Sequence, residues 1–331
     1  MMNMLVTGGT GFLGKRLARR LNDEGHAVTI IGRNEQIGKL LEKEGIYFYQ
    51  ADLADSGKIE NACKKIDYVF HCGALSSPWG KYDEFYQANV LGTINVINAC
   101  KKEKVKRLIH VSTPSLYFYF NDRLDVKEND PLPSKFVNYY AETKYLAEQE
   151  IDRAFAKGLP VVTIRPRALF GPEDTTIIPR LIRANEKRFV PLINGGNILM
   201  DLTYVDNVVD ALLLCIDSPK ETLGKKYNIT NGETVVFKDV LEKLFSTLQK
   251  PLKTKDISYS KVIKLAQFFE WASKYILFGK EPILTKYSVS VLAKNQTLNI
   301  DAARKELGYN PRISIEEGIE QFVEWWVAEL K

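Results

Sequence analysis

The chain of 331 residues is poor in metal ligands: it has three histidines, at 26, 71 and 110, and four cysteines, at 63, 72, 100 and 215. No histidine stands at i, i+4 spacing from another histidine or from a cysteine, so no metal is assigned. The cysteines are far apart and form no CxxC pair, which suits core thiols of a reducing compartment better than a disulfide set. No run reaches the ~18 consecutive apolar residues of a membrane-spanning helix. A glycine-rich turn arrives by residue 8, where a signal peptide would still be apolar, and the cytoplasm is the expected location. Charge of one sign is also scarce, with 46 basic and 41 acidic residues and a net charge of +5. The short basic clusters 101–106 and 183–188 read as solvated helix faces, and no nucleic-acid partner is expected.

With 45% hydrophobic residues and 26% charged, the composition is that of an ordinary globular protein. The segment MLVTGGTGFLGKRLARRLNDEGHAVTIIGRN runs from an apolar strand through a glycine turn into a helix and on to a second strand. Leu13, Leu17 and Leu21 recur at helical spacing, and 27–31 is a continuous apolar run typical of a buried parallel strand. Gly8, Gly11 and Gly14 lie between strand and helix. Gly8 suits the tight turn, Gly11 the approach of backbone N–H groups to a pyrophosphate, and Gly14 close packing of helix on strand. After the second strand comes Arg33, with the first acid delayed to Glu35. A cation there suits a 2′-phosphate, so NADP(H) is favoured and NAD(H) remains possible.

The pattern repeats through IYFYQADLAD, DYVFHCGAL and VKRLIHVSTPSLY, and strands alternating with helices predict an α/β fold with a doubly wound parallel sheet. Ligands in such a sheet lie beyond the carboxyl ends of the strands. The glycine turn, Arg33, Asp52, Gly73, Ala74 and Thr113 then share one edge. The stretch NYYAETKYLAE, 138–148, follows the fifth strand and can close over it. Of sixteen tyrosines, only Tyr140 is followed four positions later by a lysine, Lys144. That spacing puts both on one helical face, where an ammonium would draw a phenol toward the working pH range. Tyr139, paired with Thr143, lacks such a partner.

Together TGGTGFLG (7–14), Asp52-Leu53, HCGA (71–74), ANVLGT (88–93), HVSTPSLY (110–117), Tyr140-x-x-x-Lys144, RPRALFGP (165–172), DLTYVDNVVDA (201–211) and the closing LNIDAARKELGYNPRISIEEGI resemble the extended short-chain dehydrogenase/reductases along essentially the whole chain. SSPWGKYDEFYQANVLGT and RPRALFGPEDTTIIPRL look most like the 3β-hydroxysteroid dehydrogenase and 2-alkyl-3-ketoacid reductase branch. The resemblance implies that Tyr140 exchanges a proton with the substrate oxygen and that Thr113 hydrogen-bonds this oxygen. It implies that Lys144 holds the nicotinamide ribose and lowers the Tyr140 pKa. Gly8, Gly11, Phe12, Leu13, Gly14, Arg33, Asp52, Leu53, Gly73 and Ala74 are the implied cofactor contacts. Asn89 matches a family asparagine near the site, its alternative being a hydrogen bond within its helix. Nucleotide-sugar enzymes, the competing branch, usually carry an arginine before the D-[FY]-x-x-V motif, where this chain has Met200. A non-catalytic cofactor sensor on the same fold would not need Thr113, Tyr140 and Lys144.

Residues 1–170 and 201–230 are expected to form the dinucleotide-binding domain, and 171–200 with 231–331 a smaller substrate-binding lobe. In 261–284 the aromatic and aliphatic residues Phe268, Phe269, Trp271, Tyr275, Ile276, Leu277 and Phe278 cover more than one helical face. Core or dimer packing, an apolar substrate tunnel and peripheral membrane contact all fit, the last not favoured. Ser76, Trp79, Met200 and Phe268 are the candidate substrate contacts. A small apolar or lipid-like substrate and a homodimer are expected.

Overall fold

Seven short apolar runs become the strands β1 (Asn3–Thr7), β2 (Ala27–Gly32), β3 (Tyr47–Gln50), β4 (Tyr68–His71), β5 (Arg107–Val111), β6 (Val161–Pro166) and β7 (Lys226–Ile229) in the computed structural model of the protein, which describes residues 1–276 and 280–329. They form one sheet in the order β7-β6-β5-β4-β1-β2-β3, and every neighbouring pair is parallel. Strand alternation sends Met4 and Val6 into one apolar layer, with Leu17 and Leu212, and Leu5 into the opposite one, with Val96 and Ile151. Both faces are therefore covered by helices, as a parallel sheet requires. The four cysteines are free thiols.

A second sheet orders Thr234–Val236, Leu199–Asp201, Gln296–Leu298 and Arg123–Val126. Beside it Phe170, Ile182, Met200, Phe237, Leu241 and Phe322 form a separate core. The two units are stitched together by the chain itself. Arg123–Val126 precedes the Tyr140 helix yet pairs with Gln296–Leu298, while Ala303, Leu307 and Tyr309 return to the first core.

The helix Tyr259–Tyr275 buries Val262, Ala266 and Ser273 and turns Leu265, Phe268, Trp271 and Tyr275 outward. Phe268, a candidate substrate contact, is 57% exposed and stacks among Phe269 and Trp271 on this open face. The small side chains Ala266 and Ser273 seat the helix from the other side, leaving its aromatics pointing away. Leu277 and Phe278 lie outside the described residues. Among the described residues no helix is long and apolar enough to cross a membrane.

Candidate active site

The turn after β1 places Gly8 at φ +67, a conformation that a side chain would strain, and a Cβ there would stand 2.7 Å from the Gly73 Cα. A Cβ on Gly14 would meet the Gly8 carbonyl oxygen at 2.2 Å. These contacts bring the ends of β1 and β4 together below the first turn of α1 (Phe12–Asp23). Gly11 caps α1 without a side-chain hydrogen bond, and no acidic residue occupies the first turn. Its first N–H groups and its dipole are thus open to an anion such as a pyrophosphate. The adjoining cleft, of about 210 Å³, is lined by Gly8, Gly11, Arg33, Asp52, Leu53, Gly73 and Ala74, together with Thr10, Gly32, Cys72 and Ala88, which motif reading did not single out. Phe12, Leu13 and Gly14 belong to α1 below it. The open N–H groups suit the pyrophosphate of a dinucleotide.

Arg33 reaches outward at the rim, its side chain 72% exposed and its guanidinium 3.6 Å from the Asp52 carboxylate. Between exposed groups this pair is weak and leaves the cation available to another anion.

Asn138 caps the helix Tyr139–Ala156, its side chain accepting from the Ala141 N–H at 2.9 Å. The cap sets the register that separates the two tyrosines. Tyr139 is 47% exposed and packs edge-on against Tyr82. Tyr140 is half-buried as a whole residue, yet burial of its hydroxyl is the largest influence on it and raises its pKa, while hydrogen bonds with Thr113 and Ser76 act the other way. Thr113 is buried, accepts from the Ser115 N–H at 3.2 Å and donates to the Ser115 Oγ at 3.1 Å.

Lys144 is fully buried and donates to the Val111 carbonyl at 2.8 Å, and burial lowers its pKa to about 8 against the opposing pull of Glu148 and Cys72. It is not among the groups that act on Tyr140. One helical turn brings the two side chains to the same face, and the ammonium is anchored at the end of β5. One turn further on, Glu148 forms a buried ion pair with Arg165, Nε to Oε1 at 2.8 Å, tying the helix to β6.

Asn89 does more than satisfy its own helix. It lies in a π-helical segment, Tyr86–Leu91, a geometry often found at functional sites. Its amide accepts from the Leu75 N–H at 2.7 Å and donates to the Leu75 carbonyl at 3.2 Å and to Thr143 Oγ1 at 3.0 Å. It thereby holds the loop carrying Ser76 against the helix carrying Tyr140. In that loop Ser77 and Trp79 bind each other, Ser77 Oγ donating to the Trp79 carbonyl at 2.7 Å. Met200 is buried in the second core. Motif reading missed Tyr287, which comes from the short helix Lys286–Val291, where nothing in the sequence sets it apart. Its hydroxyl is 3.1 Å from Ser115 Oγ and it acts electrostatically on Tyr140.

A cradle for a dinucleotide beside a Tyr-Thr-Ser cluster, on a seven-stranded parallel sheet, agrees with the match of residues 4–230 to the model of the NAD dependent epimerase/dehydratase family. The chain belongs to this family. It is an enzyme of the extended short-chain dehydrogenase/reductase type. The chain is 37% identical to uncharacterized protein YbjS of Escherichia coli (strain K12), over 98% of this chain and 97% of that one. It is 34% identical to a 2-alkyl-3-oxoalkanoate reductase of Stenotrophomonas maltophilia (strain K279a), over 96% and 97%. Among solved structures, a UDP-glucuronic acid 4-epimerase from Bacillus cereus in complex with NAD superposes over 100% of both chains with a TM-score of 0.79 at 22% identity, a likeness of fold.

Proposed function

We propose that this enzyme interconverts a ketone and a secondary alcohol on an apolar 3-oxo substrate, running as a reductase, with NADP(H) favoured over NAD(H). The observation that carries the reading is the Tyr140 hydroxyl, buried between Thr113 and Ser76. Held above its ordinary pKa, the phenol keeps its proton at neutral pH and is poised to donate it to a ketone oxygen. Thr113 and Ser76 orient that oxygen, and Asn89 keeps the Ser76 loop in place. Gly8, Gly11, Gly73 and Ala74 would hold the dinucleotide, with Asp52 and Leu53 at its adenosine end, and Lys144 would meet the nicotinamide ribose after turning from Val111. When bound, the nicotinamide supplies the hydride. Arg33 supports the preference for a 2′-phosphate.

The relative named 2-alkyl-3-oxoalkanoate reductase supports the substrate class, and the buried thioether of Met200 offers nothing to a diphosphate. The reading includes a substrate lobe formed by 171–200 and 231–331, and a cytoplasmic homodimer, whose mass light scattering measures. The decisive experiment follows NADPH absorbance with 3-oxo compounds of increasing chain length and with UDP-sugars. Activity that grows with chain length, with UDP-sugars inert, is expected. Turnover of UDP-sugars with indifference to 3-oxo compounds would overturn it.

A further inference from the structure

Arg167 stands just beyond the carboxyl end of β6 and is 8% exposed. Its Nη1 donates to Gln296 Oε1 at 2.6 Å, but its buried Nε–H has no partner among the described residues. Gln296 is 3% exposed, and with its oxygen engaged by Arg167 its buried Nε2 also lacks a partner. Two orphan donors thus sit on two side chains that are bonded to each other. Buried donors are almost always satisfied, and a buried guanidinium ordinarily has an anion beside it. Asp201 attracts Arg167 electrostatically. Its carboxylate, however, accepts from the Leu298 N–H at 2.7 Å and from Thr234 at 3.4 Å, and among the described residues no carboxylate forms an ion pair with Arg167.

Arg167 follows β6, which pairs with β5, the strand whose carboxyl end leads to Thr113, so Arg167 lies at the ligand edge of the sheet. Neither residue lines the cofactor cleft. Tyr287 lies near enough to influence both Tyr140 and Arg167, and it continues the polar line through Ser115 to Thr113. Met200 is opposite Gln296 in the second sheet and supplies an apolar neighbour.

We propose that Arg167 and Gln296 form a carboxylate-binding subsite, so that the enzyme takes its substrate as the anion of a 3-oxo acid and not as a neutral ketone. The proposal rests on the reading of Tyr140 as the proton donor to a 3-oxo group. A carboxylate two bonds from the ketone carbon supplies the acceptor oxygens these donors lack, and the guanidinium supplies the charge.

The test uses the full-length enzyme saturated with NADPH, so that 3-hydroxytetradecanoate and its methyl ester form dead-end complexes measurable by calorimetry. The acid is expected to bind about 10- to 100-fold more tightly than the ester, as for hydrogen bonds to a charged group. Arg167→Met should collapse this ratio, Arg167→Lys should restore part of it, and Gln296→Leu should reduce it. If Arg167→Met fails to fold, Gln296→Leu carries the test. Equal affinity for acid and ester in the wild type, or variants that weaken both ligands alike, would overturn the subsite. So would micromolar UDP binding that disappears with Arg167→Met, which would assign the donors to a diphosphate. If 3-oxo compounds are turned over without an acid preference, the subsite alone falls. If neither form is bound or turned over, the proposed function falls with it.

Discussion

Tyr139 and Tyr140 differ by one position on the same helix and by nearly everything in their surroundings. Tyr140→Phe removes the buried hydroxyl alone, so kcat should fall by at least ~100-fold while the Kd for NADPH changes little. Tyr139 packs at the surface against Tyr82, and Tyr139→Phe should keep most activity. The reverse pattern in steady-state kinetics and nucleotide titration would show that the register is misassigned. Arg33→Asp replaces an exposed cation at the cleft rim with a second acid beside Asp52. The ratio of kcat/KM for NADPH over NADH should then drop by about 10-fold or more, since a charge-assisted contact is lost and repulsion takes its place. A wild type that already prefers NADH would sink this reading of Arg33.

Two local structures support these residues. The π-helical turn directs Asn89 to the loop on one side and to the helix on the other, so Asn89→Leu breaks three hydrogen bonds at once. With Ser76 no longer held, kcat should fall by about 10- to 100-fold while the KM for nucleotide stays nearly constant; an unchanged kcat would show that the loop is held by other means. The second structure is the paired β4 and β5, where His71 and His110 are partners in register with rings 5.3 Å apart. Burial pushes His71 down to about 3 and His110 well below 6.5. Because both stay neutral in the fold, the unfolded chain takes up their protons first as pH falls below about 6.5. Stability should therefore decrease with falling pH between about 6.5 and 3, at roughly 1.4 kcal/mol per pH unit for each group while only the unfolded form titrates. His71 hydrogen-bonds Thr7 and Thr93, at 2.7 and 2.9 Å, whereas neither ring nitrogen of His110 has a hydrogen-bond partner among the described residues. His110→Phe is the milder probe, and urea unfolding between pH 7 and 5 should show a shallower slope for it. Identical slopes would exclude His110 as a source.

At the scale of the whole molecule, the two cores and the outward aromatic face respond differently to mutation. Phe322 is fully buried in the second core, and Phe322→Ala should cost about 3–5 kcal/mol in chemical denaturation. Phe268, more than half exposed, should give less than about 1 kcal/mol on change to serine. A large loss for Phe268→Ser would mean that this face is covered in the working enzyme.

The parallel sheet, the dinucleotide turn and the Tyr140–Lys144 helix were legible from the sequence because each rests on local rules: apolar periodicity, glycines at a tight turn, and spacing along one helix. Asp52, Gly73 and Ala74 could be placed because a parallel sheet gathers all its carboxyl ends on one edge. Long-range packing decided the rest. It pointed Lys144 at Val111 and turned Phe268 outward, since the spacing that puts residues on a helical face does not say what that face meets. It made Asn89 a bridge between segments that are far apart in the chain. It also brought Tyr287 to Ser115, 172 positions away, and Arg167 to Gln296, 129 positions away. No periodicity connects such pairs, because they exist only once the two cores pack side by side.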